Sequence, residues 1–171
     1  MSEAVDAVRA ALADAVRRLE AAGAREEALG EVVIPRRMLG MGKPPRIERR
    51  GAVWRVGALL LDRDGGVHAT GTSTRVADPG RPQGLTASVE LRRAERVAAI
   101  AGGFELGEVV NHATTPIAID ESLVDAPADA VLAIRGGVAW VRWGRTAAER
   151  TRLDAYLADQ LDLLLRPRPG A

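Results

Sequence analysis

The chain has 171 residues, of which 47% are hydrophobic and 27% charged, and its 24 basic and 23 acidic side chains leave a formal charge of +1. This length suits one domain with a substantial core, and the apolar content excludes a disordered chain. The balanced charge excludes a strong overall attraction to nucleic acid or to an anionic membrane. We therefore predict a single folded domain over residues 1–171.

The chain contains no cysteine, which excludes disulfides, thiolate metal sites and thiol nucleophiles. Lys43 is the only lysine, and the chain is rich in arginine, alanine, glycine and valine, a bias typical of a GC-rich bacterial genome. Arginine abundance alone is therefore no sign of guanidinium chemistry. The N-terminus lacks the pattern of a secretory signal, and no window reaches the roughly 20 apolar residues of a membrane span. We predict a cytoplasmic protein without membrane contact.

The first predicted element is an amphipathic helix over residues 3–22, with Ser2 as its N-cap and Gly23 as its stop. Prolines and glycines prevent a helix over residues 36–50, for which we predict a basic loop after a short strand at 32–34. The apolar residues of the helix recur at helical spacing: Val5, Val8, Leu12, Ala15, Val16 and Leu19.

The middle of the chain is predicted to be largely β-structure. Residues 47–76 are rich in β-forming residues on both sides of the turn signal at 62–66, which predicts a hairpin. Both alternating faces of residues 52–61 are apolar, so we expect one continuous strand there, central in its sheet. A helix follows over residues 86–101 and ends at Gly102.

The last third is predicted to hold short strands in residues 104–111 and 116–119, and a hairpin with its turn at 135–137. Thr146 and Glu149 form a capping-box pattern that predicts the start of the C-terminal helix. Residues 166–171 are predicted to be a loose tail. The order of elements predicts an α+β fold, with a mainly antiparallel sheet built from hairpins and flanked by N-terminal, middle and C-terminal helices.

The common cofactor and catalytic motifs each lack a required residue. An EF-hand starting at Asp62 would need a carboxylate where Ser73 stands, and a serine nucleophile elbow would need glycine where Arg75 stands. Residues 40–44 lack the hydroxyl residue of a P-loop. Zinc deaminases place a histidine or cysteine before an Ala-Glu pair, and Arg93 occupies that position. We predict no cofactor and no metal.

Eight residues are candidates for contact with a ligand or partner. The two histidines are the only imidazoles, and one of them follows Asn111 in the most polar short stretch of the chain. Two tryptophans lie three residues apart on a predicted strand; they should face opposite sides of the sheet, with one of them in the core. The eight residues are His68, Glu90, Arg93, Asn111, His112, Trp140, Arg142 and Trp143.

A second set of candidates lies in the basic segment 36–50, where cations outnumber the single acidic residue, Glu48. Such a cluster could contact phosphates or an acidic partner. Of the aromatic residues only Trp54 lies near it, so the interleaved aromatics of a single-strand binder are missing and nucleic-acid binding is not expected to be the main function. The candidates for anion contact are Arg36, Arg37, Lys43, Arg46, Arg49 and Arg50.

The leading functional hypothesis is a non-catalytic domain that binds a protein partner or itself, because no cofactor motif is present. The alternative is a small-molecule-binding protein or an enzyme, with a site near Asn111 and His112 where His68, Glu90 and Arg93 converge beside a tryptophan. A third hypothesis is nucleic-acid contact through residues 36–50. Whether the protein is an enzyme stays open at this point.

Overall fold

A computed structural model describes residues 2–35, 44–81, 86–144, 146 and 148–166. In these residues it has three α-helices, one 3₁₀ helix and ten strands, which confirms the α+β prediction. The elements in chain order are α1 (Glu3–Ala21), β1 (Glu27–Val33), β2 (Arg46–Val56), β3 (Leu59–Leu61), β4 (Val67–Ala69), β5 (Thr72–Arg75), α2 (Ala87–Ala101), β6 (Val109–His112), β7 (Thr115–Pro116), the 3₁₀ helix (Glu121–Leu123), β8 (Leu132–Arg135), β9 (Val138–Arg142), β10 (Arg150–Arg152) and α3 (Leu153–Leu165).

The strands form two sheets. One has seven strands in the order β5-β6-β1-β2-β3-β4-β7, and the other has three in the order β10-β9-β8. In the large sheet, β1 pairs with β6 in parallel. Four other pairs of that sheet are antiparallel: β2–β3, β3–β4, β4–β7 and β5–β6. Both pairs of the small sheet are also antiparallel. The sheets are therefore mostly antiparallel, as the hairpin signals predicted.

The chain divides into two compact units. Unit 1 consists of Met1–Glu26, Val53–Thr70 and Thr115–Ala171, and unit 2 consists of Glu27–Ala52 and Gly71–Thr114. Each unit has its own cluster of buried apolar side chains. That all 171 residues fold as one domain stays a prediction.

The core of unit 1 contains α1, α3 and the strands between residues 53 and 70. The six apolar residues that predicted the first helix are all buried, which confirms its inward face. Trp54 lies in this core, and its Nε1–H donates to the carbonyl oxygen of Ala24 at 3.0 Å. The buried indole therefore keeps a hydrogen bond while its ring is removed from water.

The core of unit 2 lies between α2 and one face of its strands. Ala98 and Ala99 of α2 pack with Ile47, Phe104 and Val110. Gly102, at the end of α2, allows a close approach, because a Cβ there would lie 1.7 Å from the carbonyl oxygen of Ile47. The predicted bounds of this helix and its glycine stop are confirmed.

Residues 52–61 are not one continuous strand, contrary to our prediction. The chain turns through Gly57 and Ala58, and β2 pairs with β3 so that Val56 lies opposite Leu59. Gly57 has φ +61°, and glycine at the first of two turn residues is the pattern of a type II′ hairpin. Its flanks are apolar on both sides, so the sequence alternation gave no sign of the turn.

Two further boundaries differ from the prediction. Residues 46–50 belong to strand β2 and not to a loop. The capping-box contact does form, since the Glu149 carboxylate accepts from the backbone N–H and hydroxyl of Thr146, but α3 begins only at Leu153. Arg150–Arg152 instead pairs with β9, so strand pairing overrides the local helix signal. The predicted loose tail, apart from Arg166, lies outside the described residues.

The hairpin with its turn at 135–137 is confirmed. Arg135 pairs with Val138, and Gly136 and Gly137 both have positive φ, as a two-residue type I′ turn requires. In the described part of the chain no helix is long and apolar enough to cross a membrane.

The turn at Gly57 is held by the hydroxyl of Tyr156, which accepts from the Ala58 N–H at 2.6 Å and lies 3.3 Å from the carbonyl oxygen of Val56. A Cβ at Gly57 would lie 2.1 Å from that hydroxyl. In the Gly57→Ala variant the free energy of unfolding should fall by about 1 to 2 kcal/mol because of backbone strain. Displaced hydrogen bonds should lower it by about 1 kcal/mol more. Urea unfolding measures the loss.

Gly136→Ala is the matched control, because Gly136 has φ +57° and open space around the added Cβ. The Gly136→Ala variant should therefore lose stability through backbone strain, without the further loss from displaced hydrogen bonds. Equal losses in the two variants would contradict the role given to Tyr156.

Candidate functional site

A pocket of 250 Å³ in unit 2 has four arginines among its eight described lining residues, and we call it the arginine pocket. It lies along residues 89–96 of α2 and the segment that ends at Arg81. Its lining residues on α2 are at positions 89, 90, 92, 93 and 96, which together occupy one helix face. The lining residues are Pro79, Gly80, Arg81, Val89, Glu90, Arg92, Arg93 and Arg96.

The arginine pocket carries an excess of positive charge, because Glu90 is the only acidic residue among its described lining residues. The Arg93 Nε–H donates to the carbonyl oxygen of Gly80 at 3.3 Å. No described carboxylate pairs with Arg81, Arg92 or Arg96. Guanidinium groups stay charged at all physiological pH values, so the pocket attracts anions.

The arginines of β2 are arranged differently. Arg46 pairs with Glu48 at 2.6 Å, Arg49 with Glu108 at 2.7 Å, and Arg50 with Glu31 at 2.7 Å. The hydrogen bond from Arg46 holds the pKa of Glu48 below its ordinary value. The hydrogen bond from Arg49 likewise lowers the pKa of Glu108.

The structure describes three of the six candidates in the basic segment: Arg46, Arg49 and Arg50. Each of these guanidiniums already pairs with a carboxylate. Arg36, Arg37 and Lys43 lie outside the described residues. Anion contact by this segment stays a prediction, and contact through Arg46, Arg49 or Arg50 would require their ion pairs to open.

The end of β6 places two polar side chains inside unit 2. Asn111 is buried, and its Nδ2 donates to Glu27 Oε2 at 2.7 Å. His112 is only 4% exposed, and neither of its ring nitrogens has a hydrogen-bond partner in the described part of the chain. A buried imidazole without partners loses hydration that nothing replaces.

His112 lies on the face of the sheet that α2 covers, two residues after the core residue Val110. Glu95 of α2 accepts a hydrogen bond from the Thr74 hydroxyl at 2.8 Å. Burial lowers the pKa of His112 below its ordinary value, and the negative charge of Glu95 opposes this shift without cancelling it. The imidazole is therefore neutral at pH 7.

The backbone beside His112 is unusual. Ala113 has φ +52°, the one positive φ outside glycine in the described residues. The chain also packs tightly here, because a Cβ on Gly71 would lie 2.1 Å from the Ala113 carbonyl oxygen. Such strain is costly and persists only where the surroundings enforce it.

The other candidates lie in unit 1. His68 is half-buried on β4, opposite Pro116 of β7, and its Nδ1 is buried without a described partner. Arg142 donates to the backbone carbonyls of Asp129 and Gly144, so it supports the chain around β9. These bonds to the backbone use the Arg142 guanidinium, for which we predicted contact with a ligand or partner.

Neither Trp140 nor Trp143 belongs to the core, contrary to our expectation. Trp140 is half-buried, with the Arg150 guanidinium 5.5 Å from its ring centre. Trp143, just past β9, is 56% exposed. The fully buried tryptophan is Trp54, on β2.

The structure thus brings together Glu90 and Arg93 in the arginine pocket, and Asn111 and His112 at the end of β6. Sequence reasoning missed Arg81, Arg92 and Arg96 as site residues because the chain is arginine-rich throughout. The helical spacing of Arg92 and Arg96 was a signal that these two share a face of α2. That spacing says nothing about where Arg81 lies.

The described residues contain no group of three or more histidine, aspartate or glutamate side chains that could hold a metal ion. Comparison with models of known protein families, with curated proteins and with solved structures finds no match. The function must therefore be argued from the site itself.

The depressed pKa of His112 predicts acid-sensitive stability. The unfolded chain binds a proton to this residue near pH 6.5, and the folded chain does so only at lower pH. Stability should therefore fall as the pH drops below about 6.5, by at most about 1.4 kcal/mol per pH unit from this group. His112→Gln should reduce this slope, measured by urea unfolding at about pH 7, pH 6 and pH 5.

The readout is the slope and not the absolute stability, since His112→Gln can be less stable at every pH. An unchanged slope in His112→Gln would contradict a buried neutral imidazole.

Proposed function

We propose that this chain is a binding protein whose unit 2 holds a phosphate-like anionic group of its ligand in the arginine pocket. The observation that supports the proposal is the clustering around one pocket of Arg81, Arg92 and Arg96, whose guanidiniums have no carboxylate partner among the described residues. Arg46, Arg49 and Arg50, by contrast, each pair with a carboxylate. A cluster of like charges costs free energy that a bound anion would recover.

The charge of the pocket favours a ligand group with more than one negative charge. A phosphate monoester carries up to two charges and offers three acceptor oxygens. Guanidinium groups bind such oxygens in pairs, through two parallel N–H donors. Arg92 and Arg96 stand four residues apart on α2, so their side chains leave the same face of the helix.

The size of the pocket limits what it encloses. Its 250 Å³ is smaller than the roughly 300 to 1,000 Å³ of sites that enclose a drug-sized ligand. It suits one phosphate group or a short polyanion, with the rest of the ligand outside. Val89 lines the pocket and is 39% exposed, so an apolar part of a ligand would find a contact there.

A protein partner is the second candidate function, and the exposed Val89 beside the arginines favours it. An acidic segment with an apolar neighbour would use the arginines and Val89 together. This retains the leading hypothesis of the sequence analysis, with α2 as the contact surface. Phosphate should then compete with the partner, since both use the same guanidiniums.

Isothermal titration calorimetry with inorganic phosphate and pyrophosphate tests the anion site at low ionic strength. We expect saturable binding, tighter for pyrophosphate and weaker as salt is raised, because partly exposed charges are screened. Arg92→Gln and Arg96→Gln should each weaken binding by about tenfold, the effect of losing one charge-assisted hydrogen bond.

Arg18→Gln is the matched control, since it removes the same charge from an exposed position on α1 of unit 1. Its affinity for pyrophosphate should equal that of the natural chain. Absence of saturation at about 10 mM of either anion would reject the proposal, because that concentration fills even a millimolar site. Equal weakening by all three substitutions would indicate a general charge effect and also reject it.

A further inference from the structure

A second pocket, of 540 Å³, lies within unit 1, and we call it the tryptophan pocket. It is formed by the Gly57–Ala58 turn, β10 and the middle of α3, together with the chain just past β9. Its volume is within the range of small-molecule sites. The side chains that matter here are Arg55, Thr70, Trp143, Tyr156, Asp159 and Gln160.

The floor of the tryptophan pocket is fixed before any ligand arrives. Tyr156 is buried, and its hydroxyl holds the turn at Ala58 through a 2.6 Å hydrogen bond. Gly57 contributes no side chain, and the added Cβ of any other residue would meet Tyr156 and Gln160. A site that is already ordered loses little conformational freedom on binding.

Trp143 supplies a flat apolar surface at the side of this pocket. Trp143 as a residue is 56% exposed, whereas Trp54 is buried. The Nε1–H of Trp143 donates to the hydroxyl of Thr151 at 3.3 Å, which fixes the edge of the ring. An indole held in this way offers its face to a ligand.

The polar groups around Trp143 include both donors and acceptors. Arg55 can only donate hydrogen bonds, Asp159 can only accept them when ionised, and Gln160 can do both. One cation and one anion line the pocket, so it has no excess charge to select an anion. This distinguishes it from the arginine pocket of unit 2.

The geometry points to a binding site for a neutral saccharide in the tryptophan pocket. One face of a sugar ring consists of C–H groups, which pack on an indole. Its hydroxyls both donate and accept, so they suit the acceptor Asp159 and the side-chain amide of Gln160, which can do both. A nucleoside also stacks on indole, but its base has a fixed donor and acceptor pattern that this mixed set does not favour.

Nuclear magnetic resonance of the full chain with ¹⁵N-labelled tryptophan tests this inference. The chain has three tryptophans, so the indole N–H region holds three signals, and Trp143→Phe assigns one of them by its loss. Glucose, galactose, mannose, maltose and cellobiose are the probes. We expect at least one of them to shift the Trp143 signal in a saturable way and to leave that of Trp54 in place.

Asp159→Asn should weaken the binding of that saccharide by about tenfold. Asp162→Asn is the matched control, because Asp162 lies on α3 but pairs with Arg166 and does not line the pocket. Its affinity should be unchanged.

Several results would overturn the inference. One is no saturable shift of the Trp143 signal with any probe at about 20 mM, where a millimolar site is filled. Another is a shift caused by adenosine and by none of the saccharides, which would assign the pocket to a nucleoside. Equal weakening in Asp159→Asn and Asp162→Asn would also count against it. The phosphate titration of unit 2 is read separately, so failure of either proposal leaves the other intact.

Discussion

A guanidinium group cannot lose its charge, so each arginine of this chain has to be placed where its charge is compensated or hydrated. For eight of the 19 arginines that the structure describes, the fold does this with a carboxylate. The described arginines with such partners are Arg9, Arg17, Arg46, Arg49, Arg50, Arg63, Arg152 and Arg166. Exposed pairs of this kind add little stability each. Arg81, Arg92 and Arg96 have no carboxylate partner among the described residues and line one pocket, and the proposed function rests on that clustering.

Backbone geometry sets the second constraint, in unit 1. The turn at Gly57 depends on a residue without a side chain, and the hydroxyl of Tyr156 fills the space that a Cβ would need. The same residues line the tryptophan pocket together with Trp143. Stability of the turn and shape of the tryptophan pocket therefore have one physical cause, and a change at Gly57 should affect both.

Much of the fold could be predicted from the sequence because its signals are local. The spacing of Val5, Val8 and Leu12 identifies a helix face, and the glycines at 136 and 137 identify a hairpin turn. The Gly57 turn was missed because both flanks are apolar. The start of α3 was misplaced because Thr146 and Glu149 do make their contact, while pairing of β10 with β9 decides where the helix begins.

The candidate sites were less accessible to sequence reasoning. Glu90 and Arg93 were chosen for their charge, but membership of the arginine pocket depends on where Arg81 lies, and that is a tertiary fact. For His112, the sequence indicates a polar stretch and cannot indicate that both ring nitrogens are buried. Trp143 was identified as a contact residue, yet its companions Arg55 and Asp159 lie far away in the sequence.

The most direct test of the central claim observes the arginines themselves. Side-chain Nε–Hε resonances of ¹⁵N-arginine-labelled protein can be followed during a titration with pyrophosphate. We expect saturable shifts at Arg81, Arg92, Arg93 and Arg96, and unchanged signals from Arg46, Arg49 and Arg50, whose carboxylate partners remain in place. Shifts confined to the β2 arginines, or small uniform shifts at every arginine, would contradict an anion site on α2.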